Sequence, residues 1–365
     1  MYISISIIII IFVAVILFFR QPKFGKQPSG ERLQKIKNSP NYKNGSFQNL
    51  SVTPDLTEGA TYFSVMKEYF FGQNKRVKPV DKIPSIKTDL LHLDINKDVL
   101  VWFGHSSYFI QIDGKRILVD PVLSGFASPF SFSTKAFKGT DIYTTDDIPV
   151  IDYLFISHDH WDHLDHQTLT KLKPKIKKII CPLGTGEHLE YWGYAKNIII
   201  EKDWNEQEIL DQGFTVNTVA ARHFSGRGLK RNKALWTSYV LQTPTMKIFI
   251  GGDSGYDTHF AEIGKMFGPF DLAIVENGQY DKSWKYIHLM PEEVLKVAGE
   301  LNARKLFAVH SSKFAIANHA WDEPLSKITE LNKTGHIPLM TPMIGEQVNL
   351  KDSTQKFTEW WKNIN

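Results

Sequence analysis

The segment "FISHDHWDHLDHQ", Phe155 to Gln167, places four of the chain's thirteen histidines within nine positions and interleaves them with Asp159, Asp162 and Asp165. It follows "VIDYLFIS", a short apolar run that reads as a strand, and leads into "LDHQTLTKL", which reads as a helix. His158 and His160, two apart, can point into one cavity from a loop at a strand end. Asp162 and His163 can face the same cavity from the other side. Neutral imidazoles with a carboxylate are ligands suited to zinc and its neighbours. A lone His-x-His says little, because buried histidines are common. His-x-His-x-Asp-His needs four ligand-type residues at fixed spacing, which a solvated polar loop does not explain. Asp165 and His166, just past the motif, read as the start of the following helix.

One loop rarely supplies a whole metal site, and three further polar residues stand at the mouths of apolar strands. His223 ends "TVNTVAARHF", Asp253 ends "KIFIGGDSG", where glycines let the backbone turn sharply, and His310 ends "KLFAVHSS". Singly, each could be a satisfied core or turn residue. With the cluster they complete two sites: His158, His160 and His223 for one ion, Asp162, His163 and His310 for the other, with Asp253 able to bridge both. His92, His188, His259, His319 and His336 lack such context and read as structural or exposed. Cys181, the single cysteine, excludes an intrachain disulfide framework and a thiolate-rich zinc site; its run "KIICPLG" reads as a buried strand.

At 365 residues, 42% hydrophobic and 13% aromatic, the chain can bury a large core. Four regions are expected. Residues 1–19 carry no charged side chain and come near the ~20 residues of a membrane-spanning helix, without the basic start or small-residue cleavage site of a signal peptide. Residues 20–97 form a basic linker and amino-terminal extension, 98–350 the folded domain that carries the histidine motif, and 351–365 a tail. Arg20 to Asn44 alone carries a net +6 against a formal total of +4, so the rest is slightly acidic. Local basicity beside an apolar span suits anionic lipid head groups, though a solvated linker would show the same composition. No basic run accompanies it in the folded part, so nucleic acid is not expected as a partner. From Asp98 onward the texture is strand-rich and then alternates strand with helix, which two sheets covered by helices would satisfy. "VLVWFGHSSYFIQI" and "KRILVDP", joined at Asp113-Gly114, read as a hairpin.

The order His-x-His-x-Asp-His, then His, Asp and His at later strand ends, resembles the metallo-β-lactamase superfamily, over about Val99 to Pro324. Within it the chain looks most like the N-acylphosphatidylethanolamine-hydrolysing phospholipase D group. The stretches that carry this are "WFGHSSYFIQIDGKRILVDPVLSGFASP", "ISHDHWDHLD", "RHFSGRGLKRNKALWTSYV", "GGDSGYDTHFAEIGKMFGPFDLAIVENGQY", "HLMPEEV" and "VHSSKFAIANHAWDEP". The resemblance implies an α/β fold, an αββα sandwich with metals at the edge of its sheets, here preceded by an amino-terminal transmembrane helix. It implies metal ligands at His158, His160, Asp162, His163, His223, Asp253 and His310, and a substrate-side histidine at His288. Trp161 departs from the tyrosine of the mammalian enzymes; it keeps an aromatic wall and an N–H donor and is expected beside the substrate.

Two ions a few ångströms apart can share a hydroxide as nucleophile and polarise a phosphoryl oxygen. Asp162 would orient the attacking water, and His288 would contact a phosphoryl oxygen or assist the leaving group. His105 and Asp120 would stand behind the ligands, orienting imidazoles through their free N–H groups. The expected ions are two Zn2+, with Mn2+ or Fe2+ as alternatives. The expected activity is a phospholipase D-type phosphodiesterase acting at a membrane, with the catalytic domain on the cytoplasmic side because positive charge follows the span. A lactonase acting on a phosphorylated sugar acid would show a similar ligand set. A β-lactamase proper would place a cysteine at a ligand position. A redox di-iron protein would show His-x-Glu-x-Asp. A non-catalytic anchored binding protein would be expected to have lost ligands, and none is missing.

Overall fold

The computed structural model describes residues 2–72 and 76–365. The amino-terminal apolar stretch, with no proline or glycine to interrupt it, forms helix α1 (Tyr2–Phe19). From Ile5 to Val15 its side chains are exposed around the circumference, Ile8, Ile10 and Phe12 among them. The transmembrane span expected here is not what the structure shows. At 1.5 Å per residue α1 rises about 27 Å, against ~30 Å of hydrocarbon. Among the described residues no helix is long and apolar enough to cross a membrane.

The basic stretch behind α1 is a docked strap rather than a free linker. Phe18 stacks on Phe130 at 4.9 Å and meets Phe24 edge-on at 5.1 Å. Helix α2 (Gly30–Lys37) buries Ile36. It also aims Arg32 into three carboxylates: Nη1 lies 2.7 Å from Glu187, while Nη2 and Nε lie 2.5 Å from Glu190 and Glu201. A guanidinium fork suits such a nest, and at 11% exposure it is shielded enough for the pairing to matter. A small hairpin, β1 (Tyr42–Lys43) with β2 (Ser46–Phe47), buries Phe47 beside Ile36, Trp204 and Trp236. Helix α3 (Tyr62–Phe71) begins at a capping box between Thr61 and Ser64 and buries none of its residues.

Two large sheets follow. The first holds β3 (Val99–Trp102), β4 (Tyr108–Ile112), β5 (Lys115–Val119), β6 (Ile151–Phe155), β7 (Ile176–Pro182) and β8 (Ile199–Lys202) side by side in chain order. The second holds β9 (Gln207–Asp211), β10 (Phe214–Val219), β11 (Ser238–Gln242), β12 (Lys247–Ile250), β13 (Leu272–Glu276), β14 (Leu306–Val309) and β15 (Leu339–Met340). β16 (Gln347–Asn349) returns to the first sheet beside β3. Each sheet starts as an antiparallel meander and ends in parallel strands. The meander turn at Asp113-Gly114 has φ of 47° and 74°, the left-handed pair that matches strand twist. Parallel neighbours need crossovers, supplied by α4 (His166–Leu172) and α5 (Thr185–Tyr191) in the first sheet, and by α6 (His259–Phe267), α7 (Pro291–Glu300) and α8 (Glu323–Gly335) in the second.

Side-chain alternation sorts the layers. Ile110 and Ile112 of β4 face Leu241, Ile248 and Ile274 of the opposite sheet, while Phe109 turns outward under Leu169 and Leu189 of α4 and α5. In β13, Ile274 faces inward, and Ala273 and Val275 meet Phe260, Val294 and Val297 of α6 and α7. The result is an αββα sandwich. The carboxyl ends of β6, β10, β12, β13 and β14 open at one edge, and every residue singled out by the motif lies just past one of them. Ile110 is fully buried between the sheets. Ile110→Ala should therefore cost about 2–5 kcal/mol, measured as a lowered urea midpoint at unchanged slope. An unmoved midpoint would place that side chain outside the inter-sheet core.

Candidate metal centre

His158 and His160 follow β6, and His223 follows β10. His158 Nε2 lies 2.9 Å from His160 Nδ1, which lies 3.2 Å from His223 Nε2. A second group joins Asp162, His163 and His310 with His105. Asp253, past β12, stands between the two groups. Its Oδ2 is 3.2 Å from His163 Nε2 and 3.8 Å from both His158 Nε2 and His223 Nε2; its Oδ1 is 3.2 Å from His310 Nδ1. Although crowded, His163 Nε2 and Asp253 Oδ1 are buried without an aligned hydrogen-bond partner. Each such orphan costs about 1–3 kcal/mol, a cost that coordination would remove. The buried donor set fits a metal ion.

Electrostatics agree. Burial, helped by neighbouring imidazoles, drives His158, His223 and His310 well below the usual histidine range. Burial takes His160 down to about 4. These rings therefore keep their lone pairs at neutral pH, as ligands must. His163 differs: burial opposes its charge, but Asp253 and Asp162, with the bond to Asp120, outweigh burial and raise it. Burial also lifts Asp253 to about 6. The negative charge that holds a proton on His163 is charge that a cation would neutralise.

The groups behind these rings set their orientation. Asp120 Oδ2 is 2.8 Å from His163 Nδ1 and accepts the Ser157 hydroxyl at 2.6 Å. His105 meets a carboxylate rather than an imidazole: its Nε2 is 2.8 Å from Asp162 Oδ2. His223 Nδ1 is 2.8 Å from the Ile287 carbonyl, and Ser106 Oγ is 2.8 Å from His310 Nδ1. Asp165 caps α4 through the Gln167 N–H at 3.1 Å.

His288 lies against the same cluster, its ring stacked on His310 at 5.2 Å. Its Nδ1 is 2.7 Å from Glu276 Oε2, a residue sequence reasoning passed over. The signal was present in "FDLAIVENG", where an acid ends an otherwise apolar strand. Glu276 is buried and anchored by the N–H groups of Ser254 and Leu289 at 2.7 and 3.3 Å. Burial raises Glu276 well above the carboxylate range and lowers His288.

A cavity of about 410 Å³ opens over this floor. His160, Asp162, His223, Asp253, His288 and His310 line its base; Leu56, Val65, Phe224, Trp284, Ile287 and Ile316 give it apolar walls, and Arg231 adds a cation. Trp161, expected beside the substrate, lines a smaller adjoining pocket with Lys23 and His166 instead. Its indole packs edge-on against Phe24 at 5.3 Å and lies 4.2 Å from the Arg227 guanidinium, a cation–π contact.

Arg227 was also missed, as was the part played by His188. The guanidinium is 3% exposed, and burial lowers its pKa to about 10. Nη1 donates to the carbonyls of Asp159 and Leu164 at 2.9 and 2.6 Å, and Nε and Nη2 donate to the Lys23 carbonyl at 3.1 and 2.9 Å. His188 accepts the Lys26 N–H at 3.0 Å and reaches Asp159 at 3.3 Å. The strap is thus tied to the loop that carries the histidines.

Metal-dependent hydrolysis is the chemistry that neutral imidazoles beside carboxylates support at the open edge of an αββα sandwich. The beta-lactamase superfamily domain matches residues 115–311, more than half of the chain, and the chain belongs to that superfamily as a metal-dependent hydrolase of metallo-β-lactamase fold. An uncharacterised protein of Mycobacterium tuberculosis is 33% identical over 328 residues, 89% of this chain and 88% of that one. An N-acyl-phosphatidylethanolamine-hydrolyzing phospholipase D of Caenorhabditis elegans is 31% identical over 244 residues, 63% of this chain and 68% of that one. A metallo hydrolase of the archaeon Ignicoccus hospitalis superposes with a TM-score of 0.54 at 18% identity, over 69% of this chain and 98% of that one, which shows a shared fold.

Removing the Arg227 fork leaves buried carbonyls without donors. Arg227→Met should cost about 1–3 kcal/mol and speed metal loss on dialysis. Arg227→Lys should recover little, because an ammonium cannot reach both strap and loop in one plane. Urea unfolding and elemental analysis of the dialysed variants check this; wild-type values in both would reduce Arg227 to a surface-like role.

Proposed function

We propose that this hydrolase is a phospholipase D-type phosphodiesterase that acts on N-acylphosphatidylethanolamine-like lipids at a membrane. One observation carries the reading: the cavity sets a floor of metal-competent groups beneath apolar walls, with the Arg231–Asp55 ion pair at its mouth. An amphiphile with an anionic phosphodiester and acyl chains matches that division. A phosphorylated sugar acid, the lactonase alternative, would leave the walls of Leu56, Val65, Ile287 and Ile316 unused. The nematode relative's named activity points the same way.

His158, His160 and His223 would hold one ion, Asp162, His163 and His310 a second, and Asp253 would serve both. The imidazole-rich set suits zinc first, with manganese or iron(II) as alternatives. Bound metal supplies a water acidified towards neutral pH and a Lewis acid for the phosphoryl oxygen. The protein's own groups do the rest. Asp162, held by His105, orients the attacking water through its carboxylate. His288 is fixed at Nδ1 by Glu276, so Nε2 is the nitrogen left for substrate. A proton there can bond to a phosphoryl oxygen or pass to the departing oxygen. The water oxygen bonds to phosphorus as the phosphorus–oxygen bond to the head group breaks; the head group leaves as an N-acylethanolamine and phosphatidic acid remains. Arg20 at the foot of α1 would face the anionic cytoplasmic leaflet, beside the lipid supply, while Lys23 and Lys26 are held by the Pro129 carbonyl and by Glu187.

Protein purified without chelator should carry about two transition-metal ions per chain, with Asp253→Ala the most damaging single loss because it serves both groups. Elemental analysis decides this; a folded protein with a ratio near zero sinks the metal assignment. His288→Ala should lower turnover by about 10²–10⁴-fold while metal content stays near wild type. Mass spectrometry of products from N-acylated phospholipids and from sugar lactones distinguishes the activities. Lactone opening without phosphatidic acid would overturn the phospholipase reading.

A further inference from the structure

Helix α3 inverts the usual rule for a surface helix. Such helices turn an apolar stripe inward and a charged face to water. In α3 the inward positions are Val65, which lines the cavity, and Glu68, both only partly covered. Outward, Phe63, Met66 and Phe70 recur at helical spacing, 79%, 53% and 64% exposed, flanked by exposed Tyr69 and Phe71. The capping box supports the helix locally, so no burial of that stripe is needed to form it. An exposed apolar stripe of this kind marks an interaction site.

Its surroundings say what covers it. Tyr62, at the start of α3, bonds Asp55 at 2.9 Å, and Asp55 pairs with Arg231 at 2.8 Å. The loop bearing Arg231 continues through Lys230 and Leu229, the latter 83% exposed, to Gly228, which abuts Phe19 and Phe24 at the foot of α1. One rim therefore runs from α3 along the cavity mouth to α1, whose apolar side chains project in all directions. A protein partner covers one face of a helix; a helix apolar all round suits hydrocarbon. The exposed Lys67, Lys230 and Arg20 interleave with these apolar groups, which complements anionic head groups.

We propose that α3 is an interfacial helix that lies in the head-group region of an anionic lipid surface, with Phe63, Met66 and Phe70 among the acyl chains and the cavity mouth facing the bilayer. The docking deepens the lipid-hydrolase reading and rests on it for its purpose, but it needs no membrane-spanning helix.

The test avoids turnover, so a wrong substrate would not be mistaken for wrong docking. Cys181 is buried, so a thiol-reactive, polarity-sensitive fluorophore labels only a cysteine introduced at Phe70→Cys. The control site is Met266→Cys on α6, 68% exposed on the outer face of the second sheet. The labelled full-length chain is reconstituted with vesicles of phosphatidylglycerol and phosphatidylethanolamine carrying brominated acyl chains. The label at position 70 should shift to shorter wavelength and lose most of its emission, and the label at 266 should do neither. Equal behaviour at the two sites overturns the proposal. So does a shift at position 70 that tracks protein concentration without vesicles, which would assign the stripe to a second copy of the chain.

Discussion

The fold is organised around a group of buried imidazoles and carboxylates, of which His163 Nε2 and Asp253 Oδ1 are left without a hydrogen-bond partner. Asp253 reaches towards His163 and His310 from its two oxygens, and His158, His160 and His223 crowd their ring nitrogens together. Burying such polar atoms without partners is costly, and burying their charge is costlier still. A bound cation answers both costs at once. The sandwich supplies what that needs: four strand ends from two sheets, those of β6, β10, β12 and β14, open at one edge and carry these side chains on rigid stems. Ligands carried by a flexible loop would scatter; ligands just past buried strands hold their spacing.

The orienting groups extend this rigidity outward. Asp120, His105, Ser106 and the Ile287 carbonyl each occupy a ring nitrogen or carboxylate oxygen of the cluster. Glu276 does the same for His288 from the end of β13, where three elements meet. Behind the histidine loop, Arg227 gathers carbonyls of Asp159 and Leu164 with that of Lys23, so the amino-terminal strap braces the site from outside. A guanidinium does this work because its planar fork can serve two chain segments at once. The strap's other fixing, Arg32 among three glutamates, lies on the same side of the sandwich. Whatever α1 touches is mechanically close to the metal-competent loop.

Apolar surface is distributed unevenly for a physical reason. The sheets bury nearly every large apolar residue they carry, yet α1, α3 and Leu229 leave theirs in the open. The polar floor and apolar walls of the cavity continue that division inward. A substrate that is itself divided into a charged and an apolar part would meet matching surroundings along the whole path.

Much of this was legible in the sequence because it depends on local spacing. His-x-His-x-Asp-His follows a strand pattern within a few residues. His223, Asp253 and His310 each end an apolar run, so the seven residues could be gathered from one-dimensional signals, and the two covered sheets followed from alternation. What the sequence could not show depends on partners far apart along the chain. Arg227 meets Lys23 across 204 positions and His188 meets Asp159 across 29, so neither pairing has a local pattern. Trp161 sits inside the motif, yet its cation–π partner is a buried guanidinium contributed by another loop. The apolar composition of α1 and α3 was plain from the residues. Whether those side chains would be packed away or left facing outward was settled only in three dimensions, because burial is a property of neighbours and not of the residue itself.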